Sequence, residues 1–191
     1  MSIFSWFTEN FDLPILDWIA EHLHCGFLDK VMPLITLLGD AGIFWIACAV
    51  ILALVPSQRK AGLSMAVALM LGLVICNIIL KPGVARIRPY DFQMEYFAKE
   101  IQLIAGGMHD FSFPSGHTIA SFEAATVLLK NSKKMGIPAM ILAILISFSR
   151  LYLYVHYPTD VIAAIILGTV FAFIGNFLAQ KIMDKLPEKL K

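Results

Sequence analysis

Charge is scarce in this chain. Of 191 residues only 15% are Asp, Glu, Lys or Arg, while 59% are hydrophobic and the mean hydropathy is +0.76. Soluble domains carry about 25% charged and about 45–50% apolar residues. The deficit excludes an ordinary soluble domain and makes the bilayer the natural solvent. Cysteine is nearly absent. Cys25, Cys48 and Cys76 have no close spacing, which argues against a disulfide framework or a zinc site. No Gly/Ser-rich or Pro-rich linker and no internal repeat divides the sequence, so residues 1–191 are expected to form one membrane domain. A net charge of +1, without a basic stripe carrying interleaved aromatics, leaves no case for nucleic acid. The opening residues MSIFSWFTENFDLP lack a basic start followed by an apolar run, so no cleaved signal peptide is expected.

What is present is a series of long apolar runs. A membrane-crossing helix needs about 20 mostly apolar residues. Residues 41–55 are short but wholly apolar and can extend backwards; 62–80, 136–153 and 157–182 are fuller spans. Residues 116–129 are less apolar, carrying His117, Ser121, Glu123 and Thr126. Burial among the other helices makes a fifth span there tolerable. Residues 11–23 read as an amphipathic interfacial helix. The expected fold is therefore all-α and integral to the membrane, with five spans and an N-terminal amphipathic segment within 1–38. A sixth span over 13–38 is the alternative, at about 2.5–3.5 kcal/mol for each central charge among Glu21, Asp29 and Lys30. Alternating the spans places Arg59 and Lys60, then Lys130, Lys133 and Lys134, then the tail lysines 181, 185, 189 and 191 on one face. That face is expected to be cytoplasmic, with 183–191 as its tail and 81–115 as an extracytoplasmic loop.

Three segments meet water on the opposite face: 81–89 (KPGVARIRP), 114–117 (PSGH) and 149–160 (SRLYLYVHYPTD). Pro82-Gly83 is expected to end one span after Lys81. Arg88 offers paired donors matched to phosphate oxygens, whereas Arg86 reads as solvated or facing headgroups. Ser115 suits an N-cap, Gly116 lets backbone approach an anion, and the helix start they open favours negative charge. His117 projects from that first turn. Pro158 suits the first turn of the last helix, so His156 precedes it and Asp160, four residues on, can reach the imidazole. Such a carboxylate on Nδ1–H leaves Nε2 as nucleophile or base; Asp160 could equally cap the helix. Phosphoryl transfer follows. Lys81, Arg88 and Arg150, with Ser115 and Gly116, would hold the non-bridging oxygens. His156 would attack, oriented by Asp160, and His117 would act as acid and then base. Carboxylates do not cluster there, so no metal or other cofactor is expected, and protein cations supply the charge stabilisation.

These segments resemble the signature of the type-2 phosphatidic acid phosphatase family, the lipid phosphate phosphatases. Its pattern is Lys, six residues, Arg-Pro; Pro-Ser-Gly-His; and Ser-Arg, five residues, His, three residues, Asp. Lys81, Arg88-Pro89, Pro114 to His117, Ser149-Arg150, His156 and Asp160 match every spacing. The resemblance implies a metal-independent phosphatase of a membrane lipid, with His156 as nucleophile, His117 as acid/base and Asp160 as orienting partner. The family also holds soluble vanadium-dependent haloperoxidases; the apolar spans here favour the lipid branch. Undecaprenyl diphosphate is the favoured substrate, with phosphatidylglycerol phosphate or phosphatidate as alternatives, and a plasma-membrane site facing outward is expected. A transporter of phosphorylated lipid is the non-enzymatic rival; the second histidine and the absence of an inverted repeat argue against it. Protein partners are unknown from sequence. Residues 90–110 mix aromatics and charges and could form a short helix ended by Gly106-Gly107. Glu123 is unexplained by the motifs, and Asn77, one turn before Lys81, could position that lysine.

Overall fold

The apolar runs become helices because every backbone polar group in lipid must find its partner within the chain. A computed structural model describes residues 6–185, which are mostly helical with no strand among them. The tail lysines 189 and 191 lie outside those residues. Helix α1 covers Leu13–Leu23, α2 Leu28–Leu37, α3 Ile43–Leu54, α4 Arg59–Leu71, α5 Pro89–Phe97, α6 Gly116–Asn131, α7 Lys133–Tyr152 and α8 Pro158–Lys185. Four stretches among the described residues are long and apolar enough to cross a membrane: Leu28–Leu54, Pro56–Phe97, Lys133–Tyr152 and Pro158–Lys185.

The first of these begins at Leu28, not at 41, so only α1 remains of the expected peripheral segment. A break at residues 24–27 separates α1 from α2, so no continuous helix runs over 13–38. The crossing itself is kinked where Ala41 (φ 49°) and Gly42 (φ 66°) adopt left-handed backbone. The kink puts Asp40 at a helix break. The second crossing passes from α4 into a π-helical stretch, Gly72–Leu80, and a last turn, Lys81–Val84. Pro82 does not break it: helical backbone continues through Val84. The break comes at Ala85, in the left-handed region. Likewise α5 ends at left-handed Ala98, well before Gly106.

Helix α6, expected as a polar fifth span, is not among those four stretches; at 16 residues it packs between α4, α7 and α8. Its residues from His117 to Leu128 are mostly buried. Close approach to α8 needs Gly168, where a Cβ would stand 2.9 Å from the Ile119 carbonyl oxygen. On α8 the residues Ile162, Ile166, Val170, Phe173 and Phe177 are exposed at helical spacing, a stripe suited to lipid. Helix α1 buries Leu13, Leu16 and Ile19 against the connection between α7 and α8 and leaves Trp18 exposed. It therefore caps the end of the bundle at which the three motif segments meet.

Candidate active site

The connection between α7 and α8 is short and tightly held. Tyr154 takes a left-handed turn (φ 59°), and the Val155 N–H donates to the Arg150 carbonyl at 3.2 Å. The next residue, His156, is 1% exposed. Its Nε2 lies 3.3 Å from Nη1 of Arg88. A guanidinium has only donors, so Nε2 is the acceptor and the ring proton sits on Nδ1. Burial, and then the positive charges of Arg88, Arg150, Lys81 and His117, hold the His156 imidazole well below its usual range. These surroundings favour the neutral ring, with Nε2 facing cations.

Asp160 stands in the first turn of α8 with its Oδ2 3.5 Å from His156 Nδ1. That separation exceeds a normal hydrogen bond. Oδ2 accepts instead from the Tyr157 N–H at 3.0 Å, and Oδ1 accepts from Arg86 Nη1 at 2.7 Å. The expectation for Arg86 is overturned: it is buried, not solvated. Its Nη2 reaches Asp12 at 2.6 Å and Thr8 at 2.8 Å, and its guanidinium lies 3.7 Å from the Tyr157 ring centre. Two carboxylates and the ring face offset the cost of burying the guanidinium, and sequence position alone does not reveal them.

Arg88 is 1% exposed and donates from Nη1 to the Val155 carbonyl at 2.6 Å, from Nε to the Asp110 carbonyl at 2.8 Å and from Nη2 to Asp110 Oδ1 at 2.5 Å. Lys81 Nζ meets Asp110 Oδ2 at 2.5 Å. Burial raises the Asp110 pKa, but the hydrogen bonds and charges of Lys81 and Arg88 outweigh it and bring it to about 2. Arg150, on the last turn of α7, donates to Thr36 Oγ1 at 2.5 Å and to the Met108 sulfur at 2.9 Å, while its buried Nε has no partner. Among the described residues no carboxylate pairs with it.

His117 lies in the first turn of α6, with Nε2 2.7 Å from Asp40 Oδ1. Gly39 makes room for that ring, since a Cβ there would stand 2.6 Å from His117 Cδ2. Ser115 occupies the N-cap position without a side-chain cap; its Oγ accepts from Thr118 at 3.1 Å. Asn77 stands against Gly116, not Lys81, with Oδ1 3.2 Å from where a Cβ on that glycine would be.

Lys81, Asp110, Gly116, His117 and His156 line one cavity of about 490 Å³. It continues along apolar residues of α3, α4 and the π-helical stretch after α4, including Ile46, Val50, Leu69 and Leu73. Glu123 is on its wall, buried and pressed against Gly72, with Oε1 unpartnered. Sequence reading passed over Asp40 and Asp110. Asp40 could have been found: a lone acid in an apolar run, between glycines 39 and 42, is a functional signal in a membrane helix. Asp110 carries no such signal. Among the described residues no three His, Cys, Asp or Glu side chains gather where they could hold an ion.

Residues 61–183 match the PAP2 superfamily. An undecaprenyl-diphosphatase from Sulfolobus acidocaldarius is 34% identical over 132 residues, covering 69% of this chain and 61% of that protein. A lipid A 4'-phosphatase from Bacteroides thetaiotaomicron is 30% identical, covering 94% of this chain and 82% of its own length. Among solved structures, LpxE of Aquifex aeolicus aligns with a TM-score of 0.75 at 26% identity, covering 92% of this chain and 98% of its own. The transmembrane PAP2-type phosphatidylglycerolphosphate phosphatase of Bacillus subtilis aligns with a TM-score of 0.70 at 26% identity, covering 95% and 89%. With a family match over most of its length and helices able to cross a bilayer several times, the chain belongs to the PAP2 superfamily, as a multi-pass membrane phosphatase.

Proposed function

We propose that the chain hydrolyses the terminal phosphate of a membrane lipid through a phosphohistidine on His156. The observation that carries this reading is the His156 Nε2, facing Arg88 in the cavity that also holds His117. In the first step Nε2 forms a bond to phosphorus as the bond to the leaving oxygen breaks. His117, as an imidazolium whose Nε2–H is held by Asp40 at 2.7 Å, supplies the leaving oxygen with the proton of its other ring nitrogen. In the second step His117 takes a proton from water, the water oxygen attacks phosphorus and the N–P bond breaks. Lys81, Arg88 and Arg150 hold the non-bridging oxygens, with the Gly116 N–H at the α6 start. The unpartnered Nε of Arg150 supports this, since a buried guanidinium otherwise loses a hydrogen bond. Asp160 acts at the head of this chain of contacts by holding the His156 loop through Tyr157.

Undecaprenyl diphosphate is the substrate we infer. Its support is the Sulfolobus relative, together with a cavity that runs from the histidines along apolar α3 and α4 and suits a long hydrocarbon. Residues 1–191 act as one domain in this reading. The lysines and arginines at the far end favour a plasma membrane orientation with the site outside and residues 183–191 inside. The test is phosphate release by detergent-purified protein with EDTA present, across undecaprenyl diphosphate, phosphatidylglycerol phosphate, phosphatidate and lipid A. Fastest turnover of the diphosphate is expected. A strict Mg²⁺ requirement, or full activity in His156→Ala, overturns the mechanism.

A further inference from the structure

Two of the cations assigned to phosphate already hold an anion, and it belongs to the chain. Asp110 places one carboxylate oxygen 2.5 Å from Lys81 Nζ and the other 2.5 Å from Arg88 Nη2. Two residues earlier, Met108 sets its sulfur 2.9 Å from Arg150 Nη2. Residues 108–110 thus touch all three cations. Tyr90 anchors this segment, its hydroxyl donating to the Met108 carbonyl at 2.7 Å and accepting from the Met108 N–H at 2.9 Å.

The two sides of these contacts differ in freedom. The Arg88 side chain is 1% exposed and that of Lys81 13%, whereas the Asp110 side chain is 49% exposed. Asp110 has water on its open side, while the cations are enclosed by the protein; an incoming anion that takes over both cations offsets the loss of its contacts. A carboxylate has two oxygens and engages two cations. A phosphate group carries more charge and has three oxygens, so it also engages Arg150, whose present partners are a hydroxyl and a thioether. Both anions cannot take the same N–H groups at once.

Resting on the phosphatase reading, we propose that Asp110 is an internal substitute for the phosphate group. It keeps Lys81 and Arg88 apart and oriented between turnovers, yields its place to the lipid phosphate, and returns to displace inorganic phosphate after hydrolysis. Its ligand class is a phosphate-bearing headgroup, and its consequence is weak inhibition by product.

The experiment compares the unchanged protein with Asp110→Asn, which keeps shape and removes charge. Inorganic phosphate is the probe, measured as a competitive inhibitor of turnover and by calorimetric binding to the detergent-purified protein. Removing the competing state is expected to tighten inorganic phosphate binding about tenfold, with KM for the lipid falling in the same direction. Should Asp110→Asn not fold, Asp110→Ser carries the same comparison. Equal or weaker phosphate binding by the folded variant overturns the inference and leaves Asp110 as a brace for the cations. Phosphate binding by neither protein, with no turnover of any lipid phosphate, overturns the phosphatase reading itself and this inference with it.

Discussion

Arg86 Nη1 lies 2.7 Å from Asp160 Oδ1, and both side chains are almost wholly buried. Arg86 also pairs with Asp12 at 2.6 Å, so one cation ties the chain before α1 to the first turn of α8. The family motif places Asp160 beside a histidine; the structure makes it equally the partner of an arginine. Breaking a buried pair from one side costs about 3–5 kcal/mol, because the other charge is left uncompensated. Arg86→Met is therefore expected to lower the thermal unfolding midpoint in detergent strongly, while the folded fraction retains the KM of the unchanged protein. A raised KM with an unchanged midpoint would instead make Arg86 a phosphate ligand.

The two histidines separate by what they leave behind. His156→Ala is expected to abolish both turnover and the acid-labile phosphoenzyme trapped by rapid quench from ³²P-labelled substrate. His117→Ala, which removes the acid and base, is expected to slow turnover by about 10²–10⁴-fold while His156 still accepts label. Label on any residue other than His156 counts against the assignment.

The position of Asp40 against His117 Nε2 at 2.7 Å predicts a change in kcat more than in KM. Asp40→Asn preserves a hydrogen bond but removes the charge that stabilises an imidazolium. A fall of about tenfold in kcat with KM little altered is expected, within the range of general acid–base contributions. An equal rise in KM would place Asp40 on the substrate instead.

The pH profile follows from His156. Its pKa is lowered by burial first and then by Arg88, Arg150, Lys81 and His117. The competent form is the neutral ring, which persists as pH falls through the ordinary histidine range. The acid limb of kcat/KM belonging to the nucleophile is thus expected below about pH 6.5, the unperturbed value. It is to be measured against a diphosphate and a monophosphate lipid to separate substrate ionisation. A limb at or above that value would mean the cations do not surround the ring in solution.

Val50 lines the apolar continuation of the cavity. Val50→Trp is expected to raise KM for long-chain lipid phosphates and leave a short water-soluble phosphomonoester unaffected. Equal loss on both would remove the cavity from the path of the hydrocarbon.

Much of the architecture was legible because its signals are local. The runs 62–80, 136–153 and 157–182 read as helices from apolarity alone, and Pro158 marked the start of α8. The bounds of the first crossing were not legible. Asp40 and its glycines look like an end, yet left-handed Ala41 and Gly42 bend the run and let it continue from Leu28. Nor does Pro82-Gly83 mark the end of the second crossing: the helical backbone runs one turn further and stops at left-handed Ala85.

By itself the sequence determined a helical membrane protein and the three segments that carry the phosphate chemistry, since hydrophobic length and motif spacing are properties of short stretches. Only the tertiary structure decided which carboxylate meets which cation. Arg86 and Arg88 are two residues apart, yet one pairs with Asp12 and Asp160 and the other with Asp110. Asp40 finds His117 from 77 residues away. Charge pairing depends on distance through a low dielectric, and in a folded chain that distance is set by helix packing rather than by neighbours in sequence.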